Sequence, residues 1–256
     1  MQLIRNLYDH FVEKAEGIKV SSLLIGLSYT AVVTDDGGMG IAYTYVGDRH
    51  CCSMNRDYRD YEGERAAELL VQIKSPEPLH RSMALALVNA MSYQDACKLP
   101  DDPTDFGWMD GLGIGRGTRV AMVGFFRPLM KLFNDRGALV EVLDDFQGVG
   151  ERNSFYRKLD GWADVLLLTS TSILNDSTEE VLGRIAPGVK AVMLGPSTPM
   201  VAGVFSHLPV RVLAGTVPMN KEAVLKAIRH GAGAPVIHRF SRKVTMALDA
   251  SGMKVE

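Results

Sequence analysis

The chain has 256 residues, 46% of them hydrophobic and 23% charged, with a formal charge of −2 at pH 7. This is ordinary globular composition, enough for one or two domains. A near-neutral chain has no global pull toward nucleic acid or anionic membrane, and the small basic clusters Arg116/Arg119 and Arg239/Arg242/Lys243 lack interleaved aromatics and read as solvated faces.

Leu3, Leu7, Phe11 and Ala15 recur at helical spacing, which predicts an amphipathic helix over residues 3–16. Arg5, Asp9, Glu13 and Glu16 interrupt this segment, so it lacks the apolar core of a signal peptide. No run reaches the ~18 apolar residues of a membrane span. Three cysteines, Cys51, Cys52 and Cys97, give an odd count with a vicinal pair poorly suited to a structural disulfide. A cytoplasmic, soluble protein is expected.

Residues 20–33 form a β-rich apolar run bent near Gly26, and Asp35-Asp36-Gly37-Gly38 is a turn that can return residues 41–45 as a third strand. A long polar stretch at 47–63 follows, then two helices at 64–74 and 79–92, the second rich in Ala, Leu and Met and expected to be buried. Residues 1–98 therefore read as a small α+β domain. Residues 99–117, with two prolines and several glycines, read as a linker.

From Arg119 the pattern alternates. Strands are predicted at 119–123, 138–143, 164–168, 191–194 and 210–213. Helices are predicted at 128–136, 175–185 with Ser177 as N-cap, and 221–230. Short apolar strands separated by helices imply right-handed βαβ units, so residues 99–256 read as a Rossmann-like, doubly wound parallel sheet, and the whole chain as α/β.

Ligands of such sheets bind outside the carboxyl ends of the strands. The loop after the first strand is Gly124-Phe125-Phe126-Arg127-Pro128, where Gly124 permits close backbone approach and a helix N-terminus favours an anion. Gly113, Gly115 and Gly117 precede the strand, so they fail the context of a dinucleotide fingerprint. Asp144 follows the second strand, where an acid can receive a ribose diol or simply close a turn. Thr169-Ser170-Thr171-Ser172, with Asn175 beyond, follows the third strand; its hydroxyls suit a polar ligand or local capping. Gly195-Pro196-Ser197-Thr198 follows the fourth as a rigid polar turn. His50-Cys51-Cys52 is the one compact group of metal-type ligands, but adjacent residues of an extended chain face opposite ways. No C-x-x-C, H-x-x-x-H, G-x-S-x-G or P-loop pattern is present.

Several stretches resemble a known prokaryotic family, the "putative heavy-metal chelation domain" proteins. They are Ala121-Met122-Val123-Gly124-Phe125-Phe126, Leu168-Thr169-Ser170-Thr171 with Asn175, Met193-Leu194-Gly195-Pro196-Ser197-Thr198-Pro199 and residues 224–231. In the first half, residues 40–44, 63–70 and Asn89-Ala90 carry the likeness. The resemblance implies a first domain similar to the enolase N-terminal domain, a Rossmann-like second domain and a site between them. It further implies handling or synthesis, by condensation or hydrolysis, of a metal-chelating small molecule of pterin-, flavin- or siderophore-like type. The family often has Glu where this chain has Asp144-Asp145.

Three readings follow. The first is an interdomain small-molecule site linked to a chelator or its metal ion. Arg49, Glu64 and Asn89 would close it from the first domain, with Glu64 as a general base if burial raises its pKa. The second is a nucleotide- or S-adenosylmethionine-binding transferase resting on Gly124 and Asp144. The third is direct metal binding by His50, Cys51 and Cys52. The expected partner is a small molecule, with neither nucleic acid nor membrane, and the exposed edges of the meander leave room for a homo-oligomer.

Overall fold

A computed structural model describes residues 1–47, 58–102, 107–249 and 251–255. Helix α1 (Gln2–Glu16) buries Leu3, Leu7, Phe11 and Ala15 on one face, as its spacing requires. Strands β1 (Val20–Ile25), β2 (Tyr29–Thr34) and β3 (Met39–Tyr43) form an antiparallel meander. Helix α2 (Ala66–Leu70) runs into a 3-10 turn (Val71–Lys74), and α3 (Pro78–Met91) then packs across β2 and β3. Proline at the first turn of α3 costs no hydrogen bond. The short α4 (Tyr93–Ala96) ends this half.

The stretch read as a linker contains a helix, α5 (Gly107–Gly111), and Trp108, Met109 and Ile114 are buried. Those apolar residues give it a packing role that its glycines and prolines concealed.

The second half contains β4 (Arg119–Val123), α6 (Arg127–Arg136), β5 (Leu139–Leu143), α7 (Arg152–Gly161), β6 (Val165–Thr169), α8 (Thr178–Leu182), β7 (Lys190–Leu194), β8 (Val210–Pro218), α9 (Lys221–Arg229), α10 (Ala234–Ile237) and β9 (Ser241–Ala247). The strand order is β5-β4-β6-β7-β8-β9. The first five strands are parallel, and β9 adds an antiparallel edge on β8. Order reverses between β4 and β6, which makes their carboxyl ends the crevice of the sheet.

The predicted helix over 175–185 is shortened to α8 (Thr178–Leu182), which follows a separate 3-10 turn (Ser170–Ile173). Asp176, at φ 66°, is left-handed and cannot continue a helix between them. Ser177 does occupy the N-cap position, but its side chain makes no capping bond; its hydroxyl donates to Asn175 Oδ1.

Strand alternation splits the apolar residues of the sheet between two cores. Val120, Met122, Leu167 and Val192 pack with Trp108, Leu129 and Phe133 on one face. Ala121, Leu166, Leu168 and Met193 belong to the larger core, which continues into α1, α3 and the meander. Helix α9 packs on β1 and β2, and β3 meets β8, so the first half rests against one side of the second. No helix among the described residues is long and apolar enough to cross a membrane.

Candidate functional site

A cavity of about 510 Å³ lies at the carboxyl ends of β4, β5 and β6. Gly124 ends β4 at φ 88°, and its N–H donates to Leu143 O at 2.8 Å. A Cβ there would sit 3.0 Å from Thr169 Cβ, so glycine allows β4 and β6 to close up at the crevice. Phe125 and Phe126 follow and share the cavity lining, with Pro128 in the first turn of α6.

Asp144 lines the cavity after β5, but its carboxylate is engaged. Oδ2 accepts the Phe125 N–H at 2.8 Å and the Gln147 side-chain amide at 3.2 Å, and Oδ1 accepts the Gln147 N–H at 2.9 Å. It ties the β4 loop to its own turn. The neighbouring Phe146 is 89% exposed at the rim, and Asp145 pairs with Arg152.

Beyond β6, Thr169 and Thr171 both line the cavity, their hydroxyls 2.9 Å apart. Asn175, Asp176, Ser177 and Glu180 extend the same wall. Ser170 does not join them. It is 1% exposed and lies under the next loop, its Oγ 2.8 Å from where a Cβ on Gly195 would be. Ser172 is also buried and bonds Thr178 Oγ1 at 2.8 Å.

The 195–198 loop is placed differently from its expected role. Gly195, Pro196, Ser197 and Thr198 do not line the cavity. Ser197 is fully buried, and its Oγ accepts the Tyr43 N–H of β3 at 2.7 Å. Asn89 of α3 donates to Ile41 O at 2.9 Å and to Ser197 O at 3.4 Å. Asn89 and this loop therefore join the two halves rather than face the cavity. Glu64 is exposed and outside the lining, so it does not reach the cavity as the expected general base. Arg49, His50, Cys51 and Cys52 lie outside the described residues.

Tyr43, the last residue of β3, and Tyr45, two residues beyond it, complete the lining. Their rings meet edge-to-face with centroids 6.4 Å apart, and Tyr29 stacks on Tyr43 the same way at 6.2 Å. Burial, then Tyr45 and Asp144, push the Tyr43 phenol up, which keeps it a protonated hydrogen-bond donor at neutral pH. On α7, burial and the Glu180 carboxylate push Tyr156 up in the same direction.

The sequence reading missed Tyr43, Tyr45, Arg152 and Tyr156. The two tyrosines are spaced i, i+2 and so share one side of an extended segment. Helix α7 carried a weak signal. Phe155 and Leu159 are its only buried residues, and Glu151 caps it through the Asn153 and Ser154 N–H groups. Among the described residues the lining combines aromatic faces, hydroxyls and several carboxylates with one arginine. Among the described residues no group of three or more His, Cys, Asp or Glu side chains could hold a metal ion.

Comparison with known proteins follows the same division of the chain. Residues 107–247 match the DUF364 model and residues 8–92 the DUF4213 model, each described as "putative heavy-metal chelation". An uncharacterised protein of Methanocaldococcus jannaschii is 20% identical over 266 residues, covering 93% of each chain. A DUF364-family crystal structure of unknown function from Pyrococcus horikoshii superposes with a TM-score of 0.79 at 20% identity, covering 96% of this chain and 100% of that one. Another from Desulfitobacterium hafniense gives 0.74 at 16% identity, covering 96% and 99%. These two likenesses concern the fold, whereas the DUF364 match spans more than half of the sequence, and by that measure the chain belongs to the DUF364 family, a family of unknown function described by "putative heavy-metal chelation".

Proposed function

We propose that the cavity at the β4–β6 crevice binds a planar, metal-chelating small molecule of pterin-, flavin- or siderophore-like type. The observation that carries this reading is the lining itself. Aromatic side chains from three separate segments, Tyr43/Tyr45, Phe125/Phe126 and Phe146, share one cavity with the Thr169 and Thr171 hydroxyls. Aromatic faces take up a flat ring system, and hydroxyls can donate to or accept from its polar edge. In this reading a metal ion is cargo carried by the chelator, which supplies its ligands. A nucleotide is less well supported, because three hydrogen bonds from Phe125 and Gln147 already occupy most of the acceptor capacity of Asp144 that a ribose diol would use.

The test pairs native mass spectrometry of freshly purified protein with thermal shifts against riboflavin, 6-carboxypterin and 2,3-dihydroxybenzoate. A retained molecule of this class, or stabilisation by at least one probe, is expected. Thr171→Ala should abolish the stabilisation while leaving the unliganded melting temperature within about 1 °C, because a partly exposed hydroxyl contributes little to folding. No retained molecule and no stabilisation, or stabilisation that survives Thr171→Ala, would overturn the assignment.

A further inference from the structure

A second cavity, of about 410 Å³, lies between α1, the Val71–Lys74 turn and the loop that carries Asp176. Arg5, Lys74 and Arg81 share its lining with Asp9 and Asp176. Arg81 is the unusual member. It sits in the first turns of α3, a helix whose other buried residues are nearly all apolar, and it is 9% exposed. Among the described residues it is the one buried cation.

Its pairing is poor for that burial. Among the described residues Nε has no hydrogen-bond partner, and Nη1 reaches Asp176 Oδ2 only at 3.9 Å, beyond hydrogen-bond distance. The Asp176 side chain is itself 54% exposed, on a left-handed residue of a surface loop. Burial lowers the Arg81 pKa, and Asp176 and Tyr45 only offset part of that effect. A guanidinium taken out of water without matching acceptors is costly, and two oxygens of one carboxylate or phosphate offer the parallel acceptors that its fork prefers.

We propose that this second cavity is an oxyanion site, in which a phosphate or carboxylate group docks on Arg81, with Arg5 and Lys74 adding positive charge and Asp176 acting as the displaceable internal competitor. The site shares Asp176 with the larger cavity but stands independently of any ligand there.

The experiment is a thermal-shift and calorimetric titration of the whole protein with sodium phosphate and, in parallel, sodium acetate, each against sodium chloride at equal ionic strength. For millimolar affinity, phosphate at about 10 mM should raise the melting temperature by about 3 °C. A response to phosphate alone assigns a phosphoryl group; a response to acetate as well assigns oxyanions generally. Arg81→Met should abolish the shift. Asp176→Asn removes the competing carboxylate and should tighten binding about fivefold. A structural ion pair predicts the opposite for Asp176→Asn, a lower melting temperature and no ion response. Absence of any shift with both anions, a full shift retained in Arg81→Met, or unchanged or weaker binding in Asp176→Asn would overturn the proposal. The last variant decides the matter if Arg81→Met does not fold.

Discussion

After β6 the chain runs Thr169-Ser170-Thr171-Ser172, and after β7 it runs Gly195-Pro196-Ser197-Thr198. Both loops are rich in hydroxyls, both leave the carboxyl ends of adjacent parallel strands, and both look like ligand loops by composition. Their surroundings separate them. The first borders the point where strand order reverses, so Thr169 and Thr171 reach an open cavity. The second lies under the docked first half, and Ser197 spends its hydroxyl on the Tyr43 N–H. What a hydroxyl does at a strand end is thus set by what covers that end, and coverage is a tertiary property.

The comparison can be broken most severely at Gly195. Its φ of 126° lies where side chains are rarely accommodated, and a Cβ would meet Ser170 Oγ at 2.8 Å. Gly195→Ala should destabilise by about 3 kcal/mol in urea unfolding, combining backbone strain with overpacking. Ser170→Ala in that background should return about 1 kcal/mol by removing the clashing oxygen. If Gly195→Ala is neutral, the loop is not the rigid latch that its contacts describe.

Ser197→Ala comes next. It leaves the Tyr43 N–H without its acceptor and should cost about 1–3 kcal/mol by chemical denaturation. Any ligand retained by the wild type should still bind, in contrast to Thr171→Ala, which is expected to spare stability and remove binding. A Ser197→Ala protein that keeps full stability but loses its ligand would exchange the roles of the two loops.

Much of this arrangement was legible in the sequence. The short apolar runs at 119–123 and 191–194 are strands, and Gly137, a glycine just past the predicted 128–136 helix, closes α6 in the left-handed region. The failures share a physical origin. The run Ser-Arg-Lys-Val-Thr-Met-Ala of β9 reads as polar because only Val244 and Met246 are buried on this edge strand. Helix α7 hides behind a similarly thin apolar stripe. The predicted 175–185 helix looked continuous because nothing in its periodicity reveals that Asp176 turns left-handed. Half of the candidate site was legible, since Gly124, Phe125, Asp144, Thr169, Thr171 and Asn175 do meet in one cavity. Tyr43 and Tyr45 could not be read, because they arrive only when the meander docks on the sheet. For the same reason Ser197 and Asn89, read as ligand residues, instead meet each other and β3 where the two halves join.

The smallest expected effect sharpens the comparison by pH. The element that follows the first hydroxyl loop also reaches the first half of the chain, but through charge. Glu179, in the first turn of α8, accepts the Leu3 N–H at 2.7 Å and meets His207 Nε2 at 3.2 Å. Burial alone would raise its pKa, yet the Leu3 N–H and His207 outweigh it and hold the carboxyl below its ordinary value. A depressed folded pKa means that the stabilisation is present above the unfolded value near 4.3 and is lost as pH falls through the folded value. Glu179→Gln, which keeps an acceptor and removes the charge, should therefore be less stable than the wild type by about 1 kcal/mol at pH 7. That gap should close as pH drops below about 4.3. The Ser197→Ala deficit, which involves no titrating group, should persist across the same range. Urea midpoints at pH 7, 5 and 3.5 for both variants would distinguish the two links, and a Glu179→Gln gap that does not shrink at all between pH 7 and pH 3.5 would remove charge from the account of how α1 is held to α8.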